Sequence, residues 1–168
     1  SIGGSAFKGC TKLTSISIPN TVISINDYAF EGCTGLVKMY LSDSISTMGY
    51  RAFYNCANLE EINYPMAWVN GSSKIFAGCT KLTSIVVPEG VTTLATSAFS
   101  GCNNLVDIKL PSTLTKIGSN AFDSCIGIAS IELPESLTNI GSSAFYSCTG
   151  LTSMALPDSV NTIGSYAF

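Results

Sequence analysis

The sequence of 168 residues contains no histidine. Its absence excludes Ser–His and Cys–His nucleophile pairs, imidazole ligands for metals, and the side chain that most often moves protons near neutral pH. No glycine-rich phosphate loop and no convergent pair of carboxylates compensates for this loss. We therefore predict a protein that is not an enzyme and that uses no cofactor.

Charge is also scarce. Charged residues make up 11% of the sequence, against roughly 25% in ordinary soluble domains. With 46% hydrophobic residues, the chain is too apolar to be disordered. Its net charge is −3 and its eight Lys and Arg are scattered, whereas nucleic-acid binding needs a clustered positive surface. A membrane span needs a run of about 18 apolar residues, which the sequence lacks. We therefore expect neither nucleic-acid binding nor membrane insertion of this segment.

What the sequence has instead is a repeat of 23 residues. All eight phenylalanines and all seven cysteines recur at this interval, and the six prolines share one phase, with Ser42 filling the single gap. Such regularity is typical of solenoids. The phenylalanines are Phe7, Phe30, Phe53, Phe76, Phe99, Phe122, Phe145 and Phe168. The cysteines are Cys10, Cys33, Cys56, Cys79, Cys102, Cys125 and Cys148.

One unit follows the pattern A-F-x-x-C-x-x-L-x-x-I-x-[IL]-P-x-x-[VL]-x-x-I-G-x-x, as in residues 98–120. The segment L-x-x-I-x-I is the strand core of a leucine-rich repeat, and its alternation points apolar side chains inward and polar ones outward. Proline ends this strand because it has no N–H to donate. A second short extended piece, as in residues 114–118, and an Ala–Phe turn or short 3₁₀ element complete the rung.

These features predict one mostly β domain over residues 1–168. The expected fold is a right-handed leucine-rich-repeat solenoid of about seven rungs, with a parallel sheet on its concave face and short extended or 3₁₀ segments and turns elsewhere. Both terminal units are incomplete and lack polar caps. We therefore expect an internal piece of a longer array, whose exposed apolar ends could associate end to end.

The repeat pattern resembles the Treponema-type leucine-rich repeats of BspA-like surface proteins, and the resemblance covers essentially the whole chain. It departs from the family pattern only at residues 63–75, where Trp68 takes the Val/Leu phase, Gly71 takes the Ile phase and Ile75 replaces Ala. The resemblance implies a secreted or surface-anchored protein of bacteria or parasitic protists that adheres to host or extracellular-matrix proteins. It supplies no catalytic residues.

The phenylalanine and cysteine columns are interpreted as structural. A metal site needs four converging ligands, which one cysteine per rung does not provide. The rung spacing of about 4.8 Å is within the Cα range of disulfides, but seven is an odd number and parallel Cβ vectors keep the sulfurs apart. Inert buried thiols are the favoured interpretation, with some disulfides as the alternative. The residues expected in these two buried columns are Phe30, Phe53, Phe99, Phe122, Phe145, Cys33, Cys56, Cys102 and Cys125.

The outward positions of the predicted strand vary from rung to rung, and two interpretations stay open. Solvent-facing positions can drift freely, or they can form a mixed polar patch with Tyr40 as an aromatic anchor that binds a protein partner. The hypothetical patch consists of Lys38, Tyr40, Glu61, Asn63, Lys109 and Glu132. Trp68 occupies an inward phase that favours packing, although its irregular neighbours allow an outward bulge that touches a partner.

Three functions are compatible with this surface. The first is adhesion to host or matrix proteins through the concave face. The second is a purely structural spacer in a large surface protein. The third, carbohydrate binding, would require more exposed aromatic side chains than Tyr40 alone.

Overall fold

The computed structural model of the chain describes residues 1–64 and 73–168. It is a β-solenoid of about six turns with 23-residue spacing, parallel strands and no helix within the described residues. The predicted leucine-rich-repeat solenoid is therefore confirmed. In those two ranges, nothing helical is long and apolar enough to pass through a bilayer.

The described part of the chain contains ten strands of two or three residues, and all their pairings are parallel. They form two rows along the stack. The first row occupies the L-x-x-I-x-I segment and contains β2 (Lys38–Met39), β4 (Glu61–Ile62), β5 (Ser84–Val86) and β7 (Asp107–Lys109). The second row contains β1 (Ser24–Ile25), β3 (Thr47–Met48), β6 (Thr93–Leu94), β8 (Lys116–Ile117), β9 (Asn139–Ile140) and β10 (Thr162–Ile163).

The strand register follows the repeat. Lys38 lies opposite Glu61 in the β2–β4 pair, and Val86 lies opposite Lys109 in the β5–β7 pair, so equivalent residues of neighbouring rungs are direct partners. Among the described residues the first row forms two separate pairs, whereas β6, β8, β9 and β10 form one continuous sheet. The longer ladder thus lies in the second row, which the sequence had indicated only as a short extended piece.

Glycine at the end of the second row is required by the close approach of neighbouring rungs. Gly118 lies at this position, and its φ is not positive. A Cβ built there would lie 2.6 Å from the carbonyl oxygen of Leu94, and its own N–H donates to that same oxygen at 2.9 Å. Glycine is needed at this position because the rungs approach closely.

A third set of contacts joins the rungs around each Ala–Phe turn, a region we call the turn edge (residues 97–101 and their equivalents in the other rungs). In the Phe99 rung, the backbone N–H groups of Ser97, Phe99 and Gly101 donate to the next rung at 2.9, 2.8 and 2.7 Å. The turn itself is closed by bonds such as Cys102 N–H to the Phe99 carbonyl at 3.0 Å. Equivalent rung-to-rung bonds recur from Ser5 to Phe145.

On the turn edge, each rung has two residues whose backbone lies in the left-handed region. Ser97 has φ of 54° and Gly101 has φ of 76°, and their equivalents in the other rungs behave alike. Glycine tolerates this conformation and asparagine adopts it more readily than most residues. At the second of these positions most rungs have Gly, and one has Asn55, so the sequence itself indicates the left-handed conformation there. Ser124 and Ser147 adopt the same conformation although serine does not indicate it.

The phenylalanine column forms the centre of the core. Neighbouring rings stack with centroids 5.0–5.8 Å apart and interplanar angles of 1–24°. The rings from Phe30 to Phe122 are fully buried and Phe145 is 1% exposed. Each rung adds leucine and isoleucine from both strand rows around this stack, so apolar area is buried between rungs and not within one rung.

Candidate functional site

The outward side of the first strand row, which we call the strand face, carries an exposed polar cluster around Tyr40. Tyr40 follows β2 and is 63% exposed. The β2–β4 register places Lys38 directly opposite Glu61. Because residues that alternate along a strand share a face, Lys38 and Tyr40 both lie on the outward side and both reach Glu61.

Glu61 holds the cluster together. The Tyr40 hydroxyl donates a hydrogen bond to Glu61 Oε1, and Lys38 Nζ lies 3.0 Å from Glu61 Oε2. The bond from Tyr40, followed by that from Lys38, lowers the pKa of the Glu61 carboxyl. The bond to Glu61 in turn raises the pKa of the Tyr40 hydroxyl and of the Lys38 ammonium. The Tyr40 side chain is thus bonded at its hydroxyl to the next rung while most of its ring stays in solvent.

Asn63 belongs to the predicted patch by position, but its amide is already used. Its Oδ1 accepts from the Leu41 N–H at 2.7 Å, and its Nδ2 donates to the Leu41 carbonyl at 2.8 Å. The side chain therefore takes the place of a strand partner for the backbone of the preceding rung. In this position Asn63 stabilises the platform on which the Tyr40 cluster stands.

Lys109 and Glu132 lie farther along the same face. The rung of Val86 separates Lys109 from Asn63, which at about 4.8 Å per rung puts them roughly 10 Å apart. Val86 is 60% exposed and apolar. Within the described residues Lys109 and Glu132 form no ion pair, and both line a shallow groove between their rungs. The structure thus divides the predicted patch into the Tyr40 cluster and a Lys109–Glu132 pair of separate charges. Trp68 lies outside the described residues.

The cysteine column lies behind the turn edge and has a bonding role. Each thiol from Cys33 to Cys148 donates to the carbonyl of the phenylalanine in the preceding rung, at 3.0–3.2 Å. All seven cysteines are free, and only Cys10 is exposed. Burial raises the pKa of Cys33, Cys56, Cys102 and Cys125, and that of Cys148 to about 11. These thiols are therefore protonated donors and poor nucleophiles at neutral pH.

No metal-binding arrangement is found in residues 1–64 and 73–168, since no three His, Cys, Asp or Glu side chains there come together as ligands.

A cluster of aromatic and basic side chains on and beside the turn edge was missed by the sequence reasoning. The ring of Tyr28 packs edge-on against Tyr50 with centroids 5.5 Å apart. The Arg51 guanidinium lies 5.3 Å from the Tyr50 ring and 4.3 Å from the Tyr54 ring. Lys8 lies 5.1 Å from the Tyr28 ring. The sequence does contain a pattern that could have indicated this cluster. These positions hold aromatic and basic residues in neighbouring rungs but mostly Ser, Ala and Asn farther along the chain.

Comparison with known proteins gives a family and a set of similar structures. The sequence matches the family described as the BspA type leucine rich repeat region, six copies, over residues 1–95 and 69–168. A leucine-rich repeat protein of T. pallidum is 33% identical, with a TM-score of 0.76 over 85% of this chain and 67% of that one. A leucine-rich repeat protein of Eubacterium ventriosum is 28% identical, with a TM-score of 0.77 over 88% of this chain and 39% of that one.

A third similar structure is a leucine rich cell surface protein of Faecalibacterium prausnitzii. It is 26% identical, with a TM-score of 0.59 over 79% of this chain and 42% of that one. The chain therefore spans less than half the length of two of these three proteins. No curated protein sequence matches it.

Proposed function

The chain belongs to the BspA-type leucine-rich repeat family, and we propose that it is a non-enzymatic adhesion module of the cell surface. Its partner is a host or extracellular-matrix protein, bound through the strand face. The cell-surface location is supported by the name of the F. prausnitzii protein, which is 26% identical to this chain. The protein-binding role is supported by the repeat scaffold, which presents a long row of variable side chains on an invariant core.

The observation that carries this proposal is the exposed Tyr40 ring, whose hydroxyl donates a hydrogen bond to Glu61 of the next rung. Tyrosine is enriched among the residues that dominate protein interfaces, because it combines a large apolar ring with a polar tip. An exposed side chain normally loses rotamer freedom when it is bound. Tyr40 is already held by Glu61, which is itself held by Lys38, so less of that freedom remains to be lost on binding.

Lys109 and Glu132 extend the proposed surface. Their charges lie on the same face but in separate rungs, unpaired with each other, so a partner could pair with each of them. Charges of this kind at an interface rim change the association rate and its salt dependence more than the final affinity. We therefore assign the anchoring role to Tyr40 and a steering role to Lys109 and Glu132.

The test is binding of the reduced protein to immobilised fibronectin and fibrinogen, measured by surface plasmon resonance. Tyr40→Ala should weaken binding by about tenfold or more, as expected for an interface anchor. Tyr40→Phe keeps the ring but loses the bond to Glu61, so a smaller loss is expected. Lys109→Ala with Glu132→Ala should mainly slow association at low salt.

Tyr146→Ala is the control, because Tyr146 is 49% exposed on the turn edge, away from the strand face, and its loss should leave these affinities unchanged. Thermal unfolding of each variant checks that the fold is intact. If the wild-type protein binds neither ligand, or if Tyr40→Ala binds as well as the wild type, the adhesion proposal fails. That result would favour a structural spacer, the second function compatible with the sequence.

A further inference from the structure

We propose that the turn edge carries a second binding site, for a neutral oligosaccharide, in a groove over the Phe76 and Phe99 rungs. This site is on a different part of the rung from the strand face, and none of its residues belongs to the adhesion surface proposed above. It takes a ligand of a different chemical class.

The groove exists because small residues are flanked by large ones. Its floor is made by Ala77, Gly78 and Ser100, together with Ser97, which is 6% exposed. Tyr54 closes one end of the groove and Asp123 closes the other. Both residues share the repeat phase of Ala77 and Ser100. Four positions at 23-residue spacing make three rung steps, or roughly 14 Å. The groove is therefore long and open enough for a short oligosaccharide.

Tyr54 contributes the aromatic side chain at one end of this groove. The Arg51 guanidinium lies 4.3 Å from the ring centroid and does not itself line the groove. The cation–π contact holds the ring in place. A tyrosine ring fixed beside a row of polar groups offers a sugar both an apolar surface for its C–H groups and partners for its hydroxyls.

Three polar side chains that line the groove have no hydrogen-bond partner among the described residues, unlike other amides of the chain, whereas Asp123 accepts a hydrogen bond from the Ser124 hydroxyl at 2.9 Å. Asn58 and Asn63 bond to carbonyls of neighbouring rungs. By contrast, the side chains of Asn55, Lys74 and Asn120 all line the groove and make no hydrogen bond to the described residues. Amides both donate and accept, which suits the mixed donor and acceptor character of sugar hydroxyls.

The sequence keeps the Asn55 amide at the groove. A Cβ added at Gly78 would collide with Asn55 Oδ1, and Gly78 has φ of 77°. Glycine at this position therefore leaves space for the amide to lie against the floor. A larger residue at position 78 would push the amide away.

The charge of the groove indicates a neutral ligand. Lys74 and Asp123 contribute one charge of each sign, so neither a polyanion nor a polycation is favoured along its length. Uncharged ligands rich in hydroxyls match this lining better than peptides, because the polar groups greatly outnumber the apolar ones along it.

The test is titration of the full chain with cellotriose, maltotriose and tri-N-acetylchitotriose, followed by NMR chemical-shift changes. At least one trisaccharide should bind saturably, with a Kd of about 1 mM or tighter. Tyr54→Ala should weaken that binding by about tenfold, and Ser100→Trp, which fills the floor, should abolish it.

Tyr146→Ala is the matched control, because Tyr146 occupies the same repeat phase as Tyr54 on a distant rung and does not line this groove. It should change the Kd by less than a factor of about two. Tyr40→Ala should likewise have no effect, which separates this site from the strand face. If none of the three sugars binds, or if binding survives both Tyr54→Ala and Ser100→Trp in folded protein, the proposal is overturned.

Discussion

The turn edge and the strand face both join neighbouring rungs, but the contacts of the turn edge repeat more regularly along the stack. At the turn edge, N–H groups donate to the following rung all along the stack, and phenylalanine and cysteine recur at every repeat. On the strand face, the strands that the structure describes have two or three residues and form two separate pairs. The residues that point outward there differ from rung to rung: Tyr40, Asn63, Val86, Lys109 and Glu132 share one phase.

This difference shows which contacts fix the fold and which are free to vary. The turn edge and the two columns behind it repeat the same backbone bonds, thiol bonds and ring contacts, so a substitution there disturbs the packing of two neighbouring rungs. The strand face has few such contacts, and a substitution there alters mainly the surface that meets solvent or a partner. Four substitution experiments test this division, beginning with the largest expected effect.

Phe99→Ala should destabilise the protein by about 3–5 kcal/mol, because it removes a fully buried ring and leaves a cavity in the middle of the stack. Tyr40→Ala on the strand face should leave the stability close to that of the wild type, because the side chain is exposed. Urea denaturation followed by circular dichroism measures both. Equal shifts for the two variants would contradict the division between the regions.

Cys102→Ala should cost about 2 kcal/mol, from the lost thiol bond to the Phe76 carbonyl at 3.2 Å and from the lost packing of a buried side chain. Cys10→Ala is the matched control at the same repeat phase. Because Cys10 is exposed and its thiol donates to no carbonyl of the described residues, the control should be nearly neutral in the same urea experiment.

The same column makes a prediction about labelling. A thiol reagent such as Ellman's reagent should modify Cys10 at once in the folded protein, because its sulfur is exposed. The six buried thiols should react only when the stack opens, since burial keeps them protonated and covered. Rapid reaction of several thiols in native conditions would show that the column is not closed.

Asn63→Ala should destabilise the protein by about 1 kcal/mol, because two hydrogen bonds to the Leu41 backbone are lost. This makes Asn63 an exception on the strand face, where most substitutions should be neutral. Lys109→Ala, at the same phase two repeats later, is its control and should have little effect. If both variants melt at the wild-type temperature, the Asn63 bonds do not contribute to stability.

The smallest effect is expected at Glu61. Its pKa is lowered by Tyr40 and Lys38, so its contribution to stability is present above the ordinary carboxyl pKa and is lost as the pH falls through the folded value. The pKa values of Tyr40 and Lys38 are raised, so their part is lost as the pH rises through their folded values. Glu61→Gln should therefore melt slightly below the wild type at about pH 7, and the difference should vanish once the pH is below the folded pKa of Glu61. A difference that persists at the acid end would point to another cause.

Much of the fold could be predicted from sequence, because a 23-residue period determines which residues are neighbours. The opposition of Lys38 and Glu61 follows directly, since they are 23 residues apart. Lys109 and Glu132 have the same separation, yet they form no ion pair within the described residues. The repeat period determines which backbone positions are neighbours. The rotamers of the long exposed side chains determine which of the neighbouring charges form ion pairs.

The candidate site was predicted less well, for physical reasons. The double bond of Asn63 to Leu41 depends on the rotamer of one amide and has no sequence pattern. The left-handed residues of the turn edge include Ser97 and Ser124, which sequence propensity does not single out. The groove beside Tyr54 depends on small residues in two consecutive rungs, and such a depression is visible only once the rungs are stacked.

The one-way hydrogen bonds of the turn edge have an electrostatic consequence. Because the N–H groups of Ser5, Phe7 and their equivalents all point toward the following rung, their peptide dipoles add instead of cancelling, as they do in a helix. The negative pole of this column lies toward the low-numbered rungs. On the turn edge in that half, Lys8, Arg51 and Lys74 outnumber Glu31, and Asp123 lies farther along. The side chains thus oppose the polarity of the backbone, and each rung added to such a stack would extend a column of aligned dipoles on one edge.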